Sequence, residues 1–484
     1  MKKTVLFIAA LAAAFLLLLP AAAADITHDA VFAPSDAALT DGAESTHSVY
    51  RAGSAIKIQS DEPIFAIYVK FDREPPEWTL SANGVSVRCG TDGFWHEFCD
   101  VRELCGAASE VELCFDTADA EICDIYVFSE GEIPDWVQRW EAADGYADLA
   151  LFTTHADDEQ LFFLGVLPYY AGELGYEVQV IYFTNHLNTR NRPHELLNGL
   201  WTVGVRRYPV IGELGDYWDG YNETPEYSYA AAAREGLTRD DLVAFQTRML
   251  RRFRPQVVIG HDINGEYGHP QHKINTDTLM SALELSGDAT YMPDDAAIYG
   301  IWDVPKTYLH LYGENRITMD WDKPLANFGG MTAYEVSKLG YACHLSQQYA
   351  WFTDWIKGKY DQYTKATDIR SYKPTEYGLY RSLVGIDTVG GDFFENITAR
   401  STLPPETEPP VETGTTQCEP VSTAEATTVL TQPIGTVRDS TLDITTQAAE
   451  KPEKKVPAFA AIGILSVLLC GVAGCLIYRS KNKK

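Results

Sequence analysis

The sequence predicts an α/β protein: a Rossmann-like, mostly parallel sheet with helices on both faces, preceded by an antiparallel β-sandwich. Two observations carry this. From about residue 25 to 140, short alternating apolar segments recur between Gly, Asp, Asn and Pro, as in closely spaced antiparallel strands. From Asp148 the rhythm becomes an apolar run, an amphipathic run and another apolar run, the pattern of βαβ units.

In the first region (25–140) strands are expected at 56–58, 64–71, 85–88, 110–115 and 122–128. Sandwiches of this size often bind carbohydrate. Trp78, Phe94 and Trp95 would supply the flat apolar surfaces on which sugar rings stack, although core or interdomain packing is the commoner use of such residues. In the second region (145–398) strands are expected at 149–152, 178–183 and 257–260, and helices at 160–170, 195–203 and 242–253. Ligands of open α/β sheets gather at the carboxyl ends of strands, where His155 and His261 fall.

The ends of the chain have their own composition. Residues 1–24 combine Lys2 and Lys3, an apolar stretch and a run of alanines, which reads as a secretory signal peptide cut before Asp25. Residues 456–478 are apolar and uncharged over the length of a transmembrane helix, followed by a basic cytoplasmic tail at 479–484. Between them, 401–455 is rich in Thr, Pro and Glu and poor in large apolar residues. It cannot bury enough surface to offset chain entropy, so a disordered stalk is expected. The expected location is the cell membrane, with the N-terminal ectodomain outside.

Acidic residues outnumber basic ones, 68 to 39, which argues against a nucleic-acid partner because phosphate binding needs clustered Lys and Arg. Cys89, Cys99, Cys105, Cys114 and Cys123 crowd one region, and their odd number leaves at least one unpaired there. No C-x-x-C pair occurs, which argues against a zinc knuckle.

The chemistry is concentrated in two segments. Thr153-Thr154-His155-Ala156-Asp157-Asp158-Glu159 sets one imidazole and three carboxylates at a strand-to-helix corner, and Gly268-His269-Pro270-Gln271-His272 follows much later. A His and an Asp from the first with a His from the second would hold a divalent metal and leave one coordination position open, as hydrolysis requires.

These two segments, together with Arg192-x-x-Glu195 and Val203-Gly204-Val205, resemble the motifs of the PIG-L (LmbE-like) family of zinc-dependent N-acetylglucosaminyl deacetylases, over about residues 148–395. The resemblance implies His155, Asp158 and His272 as ligands of zinc, with another divalent metal as the alternative. It implies Asp157 as general base, and His269 as the group that steadies the oxyanion or protonates the leaving amine. The plain alternatives are helix capping for Asp157 and a helix-end charge for Glu159. Arg192, Tyr267 and His344 are assigned to substrate binding; against this stand a surface ion pair of Arg192 with Glu195, a turn at Tyr267, and packing at His344. Two departures from the family pattern are Ala156 in place of Pro and Gly199 in place of Ala. The expected activity is removal of N-acetyl groups from N-acetylglucosamine-containing glycans or glycoconjugates at the cell surface. The alternatives are a metal amidase acting on other acylated small molecules and a non-catalytic surface sugar-binding protein.

Overall fold

The computed structural model describes residues 22–348, 354–357 and 363–403. The expected membrane helix at 456–478, the tail, nearly all of the stalk and most of the signal segment lie outside them. Among the described residues no helix is long and apolar enough to cross a membrane. Ala22 to Ala24, read as the end of the signal segment, pair with Ser129 and Glu132.

The first region contains β1 (Val31–Ala33), β2 (Ser48–Tyr50), β3 (Ser54–Ile64), β4 (Ala66–Phe71), β5 (Trp78–Ala82), β6 (Val85–Cys89), β7 (His96–Asp100), β8 (Ala108–Phe115) and β9 (Ala120–Phe128). They form two antiparallel sheets, ordered β1-β3-β8-β5-β6 and β2-β9-β4-β7. The inward residues of both, such as Ile56, Ile58, Leu80 and Val111 from one and Ile67, Val69, Ile122 and Val127 from the other, meet in one apolar cluster. The cysteines of this region are free thiols, with Cys99 Sγ 3.8 Å from Cys89 Sγ. The three aromatic side chains weighed as a sugar platform are used for packing. Trp78 is buried in the shared cluster and donates to Glu97, Trp95 is buried against His194, and Phe94 lies on Tyr208.

The second region is built on β10 (Leu149–Thr153), β11 (Val178–Thr184), β12 (Val210–Leu214), β13 (Val257–Gly260), β14 (Lys306–His310), β15 (Arg316–Thr318) and β16 (Glu376–Ser382), in the order β12-β11-β10-β13-β14-β16-β15. The first five strands are mutually parallel, and the last two pair antiparallel. Alternate residues of β10 face opposite ways: Leu149 and Leu151 enter one apolar cluster, Ala150 and Phe152 another. The chain winds outward from β10 in one direction and from β13 in the other, so the gap between their carboxyl ends is the switch point where such sheets bind ligands.

The helices that matter for the site are α1 (Asp158–Leu161), α2 (Arg192–Thr202), α3 (Arg239–Phe253), α4 (Pro270–Leu285) and α5 (Ala333–Ala342). The helix expected at 160–170 is broken instead into the single turn of α1 and a separate turn at Pro168–Glu173. Gly165 has φ +87° and a Cβ there would lie 2.4 Å from the Trp321 ring; the indole presses on the backbone and continuous helix is lost.

The two regions belong to one compact unit and are joined by buried polar groups. Glu44 accepts from Lys70 Nζ (2.6 Å) on β4 and from Asn198 on α2 (3.1 Å). Burial alone would raise the Glu44 carboxyl, but neighbouring charges led by Lys70 together outweigh it and the group is held down at about 2. A carboxyl depressed in the folded state contributes stability above its unfolded value of 4.5 and loses it as pH falls toward 2. Glu44→Gln is therefore expected to flatten the loss of stability between those pH values, by about 1–3 kcal/mol, in denaturant titrations at stepped pH.

Candidate active site

Strand β10 is followed by Thr154, whose N–H donates to His261 Nε2 (3.0 Å) and whose carbonyl accepts from Thr184 at the end of β11 (2.7 Å). These bonds fix the corner that presents His155 to Asp158. Asp157 opens α1 with φ 139°, a conformation that L residues seldom adopt, and its side chain makes no capping bond. Capping is thus not its role. His186 (φ 56°) and Tyr267 (φ 45°) also have positive φ, so three strained residues gather at one point, as they tend to at functional sites.

Three atoms form a nearly equilateral triangle. His155 Nδ1 lies 3.1 Å from His272 Nε2 and 3.2 Å from Asp158 Oδ2, and His272 Nε2 lies 3.2 Å from the same oxygen. Tetrahedral coordination at about 2.0–2.1 Å sets its ligand atoms about 3.3 Å apart. Both imidazoles are turned so that a lone pair faces the triangle. Gln271 Nε2 donates to Gly215 O, which leaves Gln271 Oε1 to accept from His155 Nε2 (3.1 Å); His272 Nδ1 donates to Glu266 (2.8 Å). Burial disfavours charge on His272, but Asp158 and Glu266 outweigh it and lift the imidazole to about 10. The place favours positive charge, and the donors fit a divalent cation.

The neighbouring histidines are committed elsewhere. His261 lies 3.5 Å from Asp158, but its Nε2 already accepts from Thr154 N–H. His269 Nδ1 accepts from Gln271 N–H (3.2 Å), which places its proton on Nε2, and burial together with His155 and His272 holds the ring well below its ordinary value. It is a neutral donor beside the triangle, 4.5 Å from His155 between ring centres.

Asp157 is nearly fully buried. Burial pushes its carboxyl up to about 7, although Arg192 pulls it back. Arg192 Nη2 lies 3.4 Å from Asp157 Oδ1, Nη1 lies 2.5 Å from Asp216 Oδ2, and the guanidinium also reaches Ala156 O. The surface ion pair weighed for Arg192 and Glu195 does not form. Arg192 is buried against Asp157 and Asp216, while Glu195 accepts from Ser346.

Tyr267 stands at the site, its ring 5.4 Å from that of His269 and 5.5 Å from that of His272. His344 does not: it is fully buried, and its Nε2 pairs with Glu159 (2.9 Å), whose other oxygen accepts from Asp157 N–H. Glu159 is thus more than a helix-end charge; it holds the backbone of Asp157 and is itself held by His344.

The two departures from the family pattern follow from these contacts. Ala156 N–H donates to His186 Nε2 (2.7 Å), a bond proline could not make. A Cβ on Gly199 would lie 2.8 Å from His344 Nε2, so the glycine makes room for the imidazole between α2 and α5. Gly199→Ala is expected to cost about 1–3 kcal/mol by overpacking, read as a lower denaturant midpoint.

The sequence reading left out Asp216, His186 and Trp218, and it set Glu266 beside Tyr267 only as a place where a substrate hydroxyl could be met. Asp216 follows β12 and lies 3.6 Å from His155 Nε2 and 3.4 Å from His186 Nδ1. Burial opposes its charge, yet His155, His186 and Arg192 hold it well below the carboxylate range. Trp218 packs edge-on to His269 at 4.6 Å. Glu266, fully buried, accepts from three imidazoles: His261 Nδ1 (2.8 Å), His272 Nδ1 (2.8 Å) and His310 Nδ1 (2.7 Å). A reading of 210–214 as a strand would have drawn attention to Asp216 by the strand-end rule.

The family model described as PIG-L, GlcNAc-PI de-N-acetylase, matches residues 150–283, which hold the whole triangle. The chain carries a PIG-L family domain. A 1D-myo-inositol 2-acetamido-2-deoxy-alpha-D-glucopyranoside deacetylase of Catenulispora acidiphila is 36% identical to this PIG-L domain over 116 residues, covering 24% of this chain and 34% of that protein. One from Saccharopolyspora erythraea is 33% identical over 118 residues, covering 24% of this chain and 42% of that protein. The chain thus spans under half the length of these two curated relatives. Among solved structures, N,N'-diacetylchitobiose deacetylase from Pyrococcus horikoshii matches with a TM-score of 0.30 and 17% identity, covering 48% of this chain and 83% of that one.

Proposed function

We propose that this PIG-L protein is a metal-dependent hydrolase with a Rossmann-like catalytic domain that removes the N-acetyl group from N-acetylglucosamine-containing glycans or glycoconjugates. The observation that carries the reading is the triangle of lone-pair atoms on His155, Asp158 and His272, with the Asp157 carboxyl and the His269 N–H beside it. The relatives named above are deacetylases of an acetamido sugar, which supports the same class of substrate.

A divalent ion held by His155, Asp158 and His272, zinc by the family resemblance, supplies polarisation of the amide carbonyl and acidification of a water. The Asp157 carboxylate takes a proton from the attacking water, and a carboxyl near 7 is suited to this at neutral pH. As the carbonyl oxygen gains negative charge, His269 Nε2–H donates to it. The C–N bond then breaks, the amine leaves with the proton taken by Asp157, and acetate is released. Arg192 keeps the Asp157 carboxyl in place throughout. The protein acts outside the membrane in this reading, supported by the composition of its two ends.

The test is metal analysis of the purified full chain combined with acetate release from a panel of N-acetylglucosamine glycosides and of amides of larger acids. Bound metal that falls by about one equivalent in the His155→Ala/His272→Ala variant, and acetate release only from the sugars, are expected. Release of larger acids instead would move the reading to a general amidase, and absence of both metal and turnover would move it to a sugar-binding protein.

A further inference from the structure

We propose a second metal site, remote from the catalytic triangle, formed by Asp72 and Cys123 of the sheet region and His194 of α2. Cys123 Sγ lies 3.9 Å from His194 Nε2 and 3.9 Å from Asp72 Oδ1, and the three donor atoms lie within 4.8 Å of one another. All three side chains are buried, two in the sheet region and one in the α/β region.

The argument turns on which nitrogen of His194 carries the proton. Trp140 Nε1, which can only donate, is bonded to Gln138 Oε1 (2.9 Å), and Gln138 Nε2 donates to Asn198 Oδ1 (2.7 Å). Gln138 Oε1 is therefore an acceptor, and His96 Nδ1, 2.7 Å away, donates to it. That leaves His96 Nε2 bare, so His194 Nδ1 donates to it across 2.8 Å. His194 Nε2 consequently holds a lone pair, aimed at a thiol and a carboxylate. This chain of bonds runs through the boundary between the regions and ends in an N, S and O donor set.

The spacing suits the chemistry. Bonds of about 2.3 Å to sulfur and about 2.0–2.1 Å to nitrogen set those two atoms about 3.6 Å apart in a tetrahedral site, so the observed 3.9 Å needs only a few tenths of an ångström of closure. A rival set, Glu44 with His96 and His194, fails because His96 Nε2 and His194 Nδ1 already share a proton. Another, Cys89 with Glu97 and Cys99, is weakened because both Glu97 oxygens are taken by Trp78 Nε1 and Gly90 N–H. Asp72 also lines a cleft of about 120 Å³ with Trp95, Arg190 and Pro193, which gives an ion a way in. Arg190, 41% exposed and 3.3 Å from Asp72, is the partner that an ion would displace. On binding, Cys123 releases its thiol proton to solvent and the thiolate binds the cation.

Such an ion would clip the sheets to α2, which carries Arg192 one half-turn before His194. The experiment uses the full chain, reduced and freed of metal, titrated with Co²⁺. A thiolate ligand gives a near-ultraviolet charge-transfer band that the nitrogen and oxygen ligands of the catalytic triangle cannot give. About two equivalents are expected to bind in the wild type and about one in the His155→Ala/His272→Ala variant, which keeps the band. The band is expected to vanish in Cys123→Ser and to weaken in His194→Gln, and to persist in Cys89→Ser/Cys99→Ser. No band in the saturated wild type, or a band that survives Cys123→Ser or disappears in Cys89→Ser/Cys99→Ser, overturns the proposal.

Discussion

Asp157→Asn is expected to lower acetate release by about 10²–10⁴-fold while metal content is unchanged. The substitution keeps the size of the side chain, and Asp157 belongs to no edge of the donor triangle. What is lost is the acceptor for the water's proton. Because Arg192 then faces a neutral amide, a residue of activity that rises when Arg192 is also replaced would show that the guanidinium, left uncompensated, was part of the damage. Turnover within a few-fold of wild type would remove Asp157 from the role of base.

The second large effect is expected at a residue that no motif singles out as catalytic. Glu266→Gln converts one acceptor oxygen into an N–H donor facing imidazole N–H groups of His261, His272 and His310. Burial alone would raise the Glu266 carboxyl, but those histidines outweigh it and hold it well below its ordinary value, so the charge is built into the fold. Removing one member of a buried, hydrogen-bonded set costs about 3–5 kcal/mol. The orientation of His272 is lost with it, and the loss of such a partner typically weakens metal binding by about 10–100-fold. Competition with a chelator and a denaturant titration read the two effects separately. Wild-type values in both would show that the three bonds are incidental.

Much of the candidate site was legible because its parts are short-range in sequence. His155, Asp157 and Asp158 sit within four residues at a strand end, and His269 and His272 within another four, so motif and rhythm found them together. The strands of the parallel sheet whose residues are mostly apolar, β10, β11 and β13, were legible for the same reason. Strands β5 and β7, with Thr, Ser, His and Glu among their residues, and β12, with a glycine and a glutamate, carry too weak a pattern to stand out. Asp216 was missed with β12. The pairing of His344 with Glu159 joins residues far apart in the chain, and no local pattern announces it; the one trace in sequence is Gly199, whose missing side chain makes the space.

The carboxylate of Glu266 has a consequence for how the protein comes to be active. Its three histidines enter from the end of β13, the end of β14 and the first turn of α4, and the loop that carries it is short and strained. His272 Nδ1 is oriented by Glu266, which the other two imidazoles hold in turn, so the face that His272 turns to the triangle is set once these segments have come together. Activity is therefore expected to be an all-or-none report on the maturity of the molecule: an incompletely folded copy would be silent, with no partial turnover before assembly was finished.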